Sequence, residues 1–97
     1  MLTQDDIART VASLSSAYGV EKATLFGSYA RGEQVQGSDV DVMIEKGALR
    51  GLEVFAFQNE LAKALGSDVD LLTSGGVSPQ LAAHIEKDGI VVYEHHE

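Results

Sequence analysis

Cysteine and tryptophan are absent from this 97-residue chain, and proline occurs once, at Pro79. Without thiols no disulfide can staple the fold. The three histidines, His84, His95 and His96, are too scattered for a metal ligand set, and the last two fall in a terminal tail. Aliphatic side chains must therefore hold together a domain that buries a smaller share of its surface than a typical one, so any cleft should be shallow and open to completion by a partner. No long polar or Pro-rich stretch divides the chain, and residues 1–97 read as one domain.

Long apolar runs are missing too, and the N-terminal Leu2-Thr3-Gln4-Asp5-Asp6 is acidic where a secretory signal is basic. The expected setting is cytoplasmic, with no membrane contact. Basic residues are scarce: seven Lys and Arg stand against fifteen Asp and Glu, for a formal net charge of −8. Direct nucleic-acid binding, which needs clustered cations along a phosphate backbone, is not expected. The acidity serves solubility on one reading and a basic protein partner on the other.

Ile7, Val11, Leu14 and Tyr18 recur at helical offsets, which predicts a helix opened by Thr3 and closed by Gly19. Lys22-Ala23-Thr24-Leu25-Phe26 reads as a strand stopping at Gly27, and Ser28 to Gly32 has room for one helical turn. Val40, Val42 and Ile44 then alternate with Asp39, Asp41 and Met43, so a second strand carries both aspartates on one face. A helix of crossover length follows from Leu52 to Leu65, with Val54, Phe57, Leu61, Ala64 and Leu65 inward, a stripe widened by Leu52 and Phe55; both phenylalanines read as core. Val69 to Thr73 makes a third strand, Ser78-Pro79 opens a short helix through Leu81, Ile85 and Gly89, and Ile90 to Tyr93 closes the chain as a strand.

The alternation predicts an α/β (α+β) domain, a single mixed sheet of about four strands flanked by helices. The link between the first two strands is too short for a parallel crossover, so they should pair antiparallel. Gly-Ser-Asp-Val-Asp occurs twice, at 37–41 and 66–70, with unmatched flanks. Either two strands enter one site from the same edge, or the echo is chance.

Asp39 and Asp41, at alternate strand positions, set two carboxylates about 6 to 7 Å apart. Like charges this close raise each other's pKa, whereas Mg²⁺ takes carboxylate oxygen and keeps positions open for substrate phosphate. Asp70 is the candidate third acid, as ligand or as base for an attacking hydroxyl, and Asp68 is its rival nearer the turn. Three acids around two metal ions suit in-line displacement at phosphorus. A lone Asp-x-Asp is commonly a solvated strand edge; the residues upstream argue otherwise here. Gly27 leaves space for a phosphate, Ser28 offers a hydroxyl and an N–H, and Arg31 is a nucleotide-binding candidate whose other reading is a salt bridge to a nearby carboxylate. Tyr29 is open between stacking on a base, capping the sheet and no role.

The run Leu25-Phe26-Gly27-Ser28-Tyr29-Ala30-Arg31-Gly32, followed by Ser38-Asp39-Val40-Asp41-Val42-Met43-Ile44, resembles the signature of the DNA polymerase β-like nucleotidyltransferase superfamily: Gly-Ser, ten residues, then Asp-x-Asp. Within it the chain resembles the minimal nucleotidyltransferases most. The resemblance implies the polymerase β-like fold, a triphosphate held at Gly27 and Ser28, metal at Asp39 and Asp41, and Asp70 as the third acid, with two Mg²⁺ ions as cofactors and ATP as substrate. Members of this family are commonly encoded beside a HEPN-domain toxin, act as its antitoxin and can transfer AMP onto one of its tyrosines. That implies transfer of AMP, or another NMP, to a HEPN partner. Two other functions stay open: an antitoxin that masks the partner without catalysis, and nucleotidyl transfer to a small molecule. Homo-oligomerisation is equally open.

Overall fold

A capping box starts the first helix: the Thr3 hydroxyl accepts the Asp6 N–H at 3.0 Å, and the Asp6 carboxylate accepts the Thr3 N–H at 3.2 Å. This helix, α1 (Gln4–Tyr18), ends at Gly19, whose φ of 78° suits a residue without a Cβ. The computed structural model, which describes residues 2–35 and 37–95, continues with β1 (Lys22–Phe26), α2 (Gly27–Arg31), β2 (Val40–Glu45) and α3 (Leu52–Leu65). Then come β3 (Val69–Thr73), a 3₁₀ turn at Ser74–Gly76 that the sequence pattern did not suggest, α4 (Pro79–Asp88) and β4 (Ile90–Glu94). His96 lies outside the described residues. Among those residues, no helix is long and apolar enough to cross a membrane.

The strands form one mixed sheet in the order β3-β2-β1-β4. β1 pairs antiparallel with both β2 and β4, whereas β2 and β3 run parallel, joined by α3 as the crossover. α1 and α3 cover one face, where Ile7, Val11, Phe57 and Leu61 bury against Ala23, Leu25, Val40, Val42 and Ile44. Tyr18 and Phe57 meet edge-to-face with centroids 5.3 Å apart. Strand alternation turns Thr24 and Met43, direct partners across β1 and β2, to the other face, and both are buried as well.

α4 packs on β1. Ser78 caps its start, accepting the Leu81 N–H at 3.1 Å, with Pro79 in the first turn. Lys22 Nζ lies 3.2 Å from Glu86 Oε1, tying helix to strand. Gly89 ends the helix so close to β1 that a Cβ there would sit 2.7 Å from Thr24 Cγ2 and 2.8 Å from the Leu25 carbonyl oxygen.

Three expectations need correction. Phe55 and Leu52 are not core: they are 64% and 82% exposed, while Phe57 is fully buried. At 3.6 residues per turn Phe55 lies about 200° around the helix from Phe57, so one helix cannot bury both against one sheet. Ala64, seven residues after Phe57 and so on the same side of the helix, is nonetheless exposed in the last turn before Gly66. In α1 the buried line is Ile7, Val11 and Ser15, with Leu14 and Tyr18 only partly covered.

Truncating Phe57 to Ala should cost about 3 to 5 kcal/mol of unfolding free energy through lost burial and a cavity. The same change at Phe55 should stay within about 0.5 kcal/mol. Urea unfolding of the two variants checks this; equal losses would contradict the layer assignment.

Candidate active site

The register of β2 on β3 brings the acids together. Val40 faces Val69 and Asp41 faces Asp70, so the two Gly-Ser-Asp-Val-Asp segments enter the sheet side by side from one edge. Their turns are stitched as well: the Val40 N–H donates to the Asp68 carbonyl at 2.9 Å, and the Ser67 hydroxyl to the Ser38 carbonyl at 3.4 Å. Asp39 sits one residue ahead of β2 and, like Asp70, is exposed, while Asp41 is half-buried.

Burial raises the Asp41 carboxyl above its ordinary value, the Asp70 charge and a hydrogen bond shared with Asp70 raise it further, and Asp39 adds a smaller push. Arg31 pulls the other way but does not reverse the sum. Asp68, the rival third acid, is exposed and lines an open cavity of about 500 Å³ with Gly37, Asp39, Ala62, Lys63, Gly66 and Ser67. It is Asp70 that stands opposite Asp41.

Gly27 completes this group from the other side. Its φ is 72°, and a Cβ built on it would run into Asp41 Oδ2 and sit 3.0 Å from Asp41 Cγ. Only glycine lets the start of α2 lie against the carboxylate. No side chain caps α2, so its first-turn N–H groups have no such partner, and Ser28 stands half-buried among them. The short helix is held from behind: Tyr29 is buried in the core, and the Gln4 amide donates to the carbonyls of Tyr29 at 2.7 Å and Ala30 at 3.3 Å. Of the readings open for Tyr29, capping the sheet is the one its position matches. Arg31 pairs with Glu33 in an exposed ion pair, yet its charge still reaches Asp41.

Between α2 and α4 lies a second cavity of about 240 Å³, lined by Phe26, Gly27, Arg31, His84, Ile85 and Asp88. His84 Nε2 is 3.3 Å from Asp88 Oδ2, an i,i+4 pair on α4. The scattered histidine count gave His84 no role; its i+4 carboxylate just before Gly89 was the available signal.

The donor set is all carboxylate oxygen, which suits a hard cation such as Mg²⁺, and a cation there would offset the burial and the Asp70 charge that raise the Asp41 carboxyl. Among the described residues, no three acidic or imidazole side chains converge closely enough to hold an ion by themselves. Asp41 and Asp70 form a near pair and Asp39 stands off. Such a site fits Mg²⁺ that completes its shell with substrate phosphate, the usual mode for that ion.

Residues 9–97 match the family described as Polymerase beta, Nucleotidyltransferase. A Methanocaldococcus jannaschii relative, provisionally named a protein adenylyltransferase, is 35% identical over 91% of this chain and 96% of its own length. The protein adenylyltransferase MntA of Thermococcus cleftensis is 30% identical over 95% and 98%. A crystal structure of a toxin–antitoxin with AMP-PNP contains a chain of similar fold, with a TM-score of 0.78 and 27% identity over 92% of this chain and 74% of that one.

The raised Asp41 pKa has a sign. Folding penalises the charged carboxylate, so the penalty is absent below the ordinary value of 3.8, grows as pH rises from there to the raised folded value, and is fully present above it. Without divalent cations, Asp41→Asn should therefore melt above the parent at neutral pH, and the gap should close as pH falls toward 3.8. Melting curves across that range check it; a gap that widens on acidification would contradict the assignment.

Proposed function

Because the chain belongs to the Polymerase beta, Nucleotidyltransferase family, we propose that it transfers AMP, or another NMP, from NTP to a tyrosine hydroxyl of a HEPN-domain toxin and so acts as its antitoxin. The observation that carries this reading is the seating of Gly27 on the Asp41 carboxylate, which joins a phosphate cradle to an acid pair. The adenylyltransferase names of two relatives and the toxin–antitoxin neighbour with AMP-PNP support it.

In this mechanism the N–H groups at Gly27 and Ser28, the Ser28 hydroxyl and Arg31 take the β- and γ-phosphates of NTP. The α-phosphorus then lies beside Asp41. Asp70, on the adjacent strand, faces the acceptor and takes the proton of the attacking hydroxyl. The acceptor oxygen forms a bond to the α-phosphorus, the bond to the bridging oxygen breaks, and pyrophosphate leaves with the electron pair. Mg²⁺, as two ions on Asp39, Asp41, Asp70 and phosphate oxygens, would supply charge neutralisation and acidify the acceptor hydroxyl. The partner protein presents the hydroxyl in this reading, and the acidic composition suits a basic partner.

One observation favours a masking antitoxin instead: Leu52 and Phe55 offer apolar surface on α3, away from the acids. The two readings separate on the Asp41→Ala and Asp39→Ala variants. Incubated with ATP, Mg²⁺ and the HEPN partner, the parent should add one or more AMP units to that protein, read by intact mass, and either variant should add none while staying folded. A partner lacking the target tyrosine should also stay unlabelled. Neutralisation that persists in both variants would replace catalysis with masking.

A further inference from the structure

The cavity between α2 and α4 has chemistry that phosphate binding does not use. We propose that it holds the nucleobase of the NTP, and that Asp88, steadied by His84, selects a base bearing an exocyclic amino group. This rests on the triphosphate lying at Gly27, as proposed above.

Strand order assigns the flanks. Asp70 on β3 lies to one side of Asp41, and the cavity, floored by the end of β1, lies to the other. An acceptor approaching at Asp70 therefore leaves the β1 flank for the nucleotide, whose phosphates take Gly27 and Arg31 and leave Phe26, His84, Ile85 and Asp88 of the lining for the base. The walls agree. Phe26 and Ile85 give apolar surface for a flat heterocycle, and about 240 Å³ suits one ring system rather than an extended chain.

A carboxylate only accepts hydrogen bonds, so its partner on the ligand must be a donor, and on a nucleobase that donor is an N–H group. An exocyclic amino group supplies one, and a carbonyl at the same ring position does not. His84 Nε2, 3.3 Å from Asp88 Oδ2, fixes the carboxylate from its own helix. The placement is built into the fold. Gly89 allows the end of α4 to press onto β1, the Lys22–Glu86 ion pair clamps the helix, and together they set Asp88 over the Phe26–Gly27 junction.

ATP and purine riboside triphosphate differ only at the group in question, an amino in one and a hydrogen in the other, with ring N1 an acceptor in both. Calorimetric titration with Mg²⁺ and no acceptor should find ATP bound about tenfold more tightly, the value of a hydrogen bond to a charged group at a partly open site. In Asp88→Ala the ratio should fall to about one, with phosphate-based affinity retained. Asp88→Asn, which keeps an acceptor but a weaker, uncharged one, should narrow the ratio without abolishing it. Equal binding by the parent, or a preference unchanged in both variants, would overturn the assignment. Transfer to a partner without base preference would sink this inference alone. Base preference without transfer would keep the cavity and sink the transfer reading.

Discussion

The parallel pairing of β2 with β3 sets one carboxylate against another, Asp41 against Asp70, and the rest of the molecule is arranged around that repulsion. The register is not free to relax. Val40 and Val69, adjacent to the acids in sequence, are buried on the opposite face, and a slip of one residue in either strand would exchange them with the aspartates. Hydrophobic burial thus holds two like charges together, and Gly27 closes the third side at a distance that no side chain permits.

A small domain sustains this by dividing its two faces. The α1/α3 face is closed and apolar, with Phe57 at its centre, and supplies stability. The other face is sealed by α4 over Thr24 and stays open toward the acids, so the proposed site occupies the surface the core does not need. Even α2, too short to be stable alone, is held by elements of the closed face: Tyr29 buried in it and Gln4 of α1 bonded to its last carbonyls. Sites that store unfavourable charge in this way trade stability for binding.

Much of this was legible in the residues. Period-two and helical spacing located the described strands and the three longer α-helices, with only room for one turn read at α2, and the Gly27-Ser28 to Asp39-x-Asp41 interval marked the acids and the glycine that meets them. The repeated Gly-Ser-Asp-Val-Asp, ambiguous as a string, acquires its meaning from strand pairing, which no local pattern encodes. Phe55 misled because a stripe drawn too wide on α3 counts both sides of the helix as core. The i+4 spacing of His84 and Asp88 was legible, but their place beside Gly27 was not, because it comes from α4 folding back onto β1, a contact between segments about sixty residues apart. Arg31 was legible as a cation near the acids, but its exposed pairing with Glu33 depends on the turn at Gly32.

If the Asp41–Asp70 repulsion is what nucleotide and metal relieve together, their binding must be cooperative. The direct measurement is the melting temperature at neutral pH with Mg²⁺ alone, with AMP-PNP alone and with both. Ligands that bind only the folded state raise it by mass action, and a joint shift well above the sum of the separate ones is the predicted result. Shifts that merely add, or no shift with both present, would contradict the claim that these carboxylates form a metal–nucleotide site.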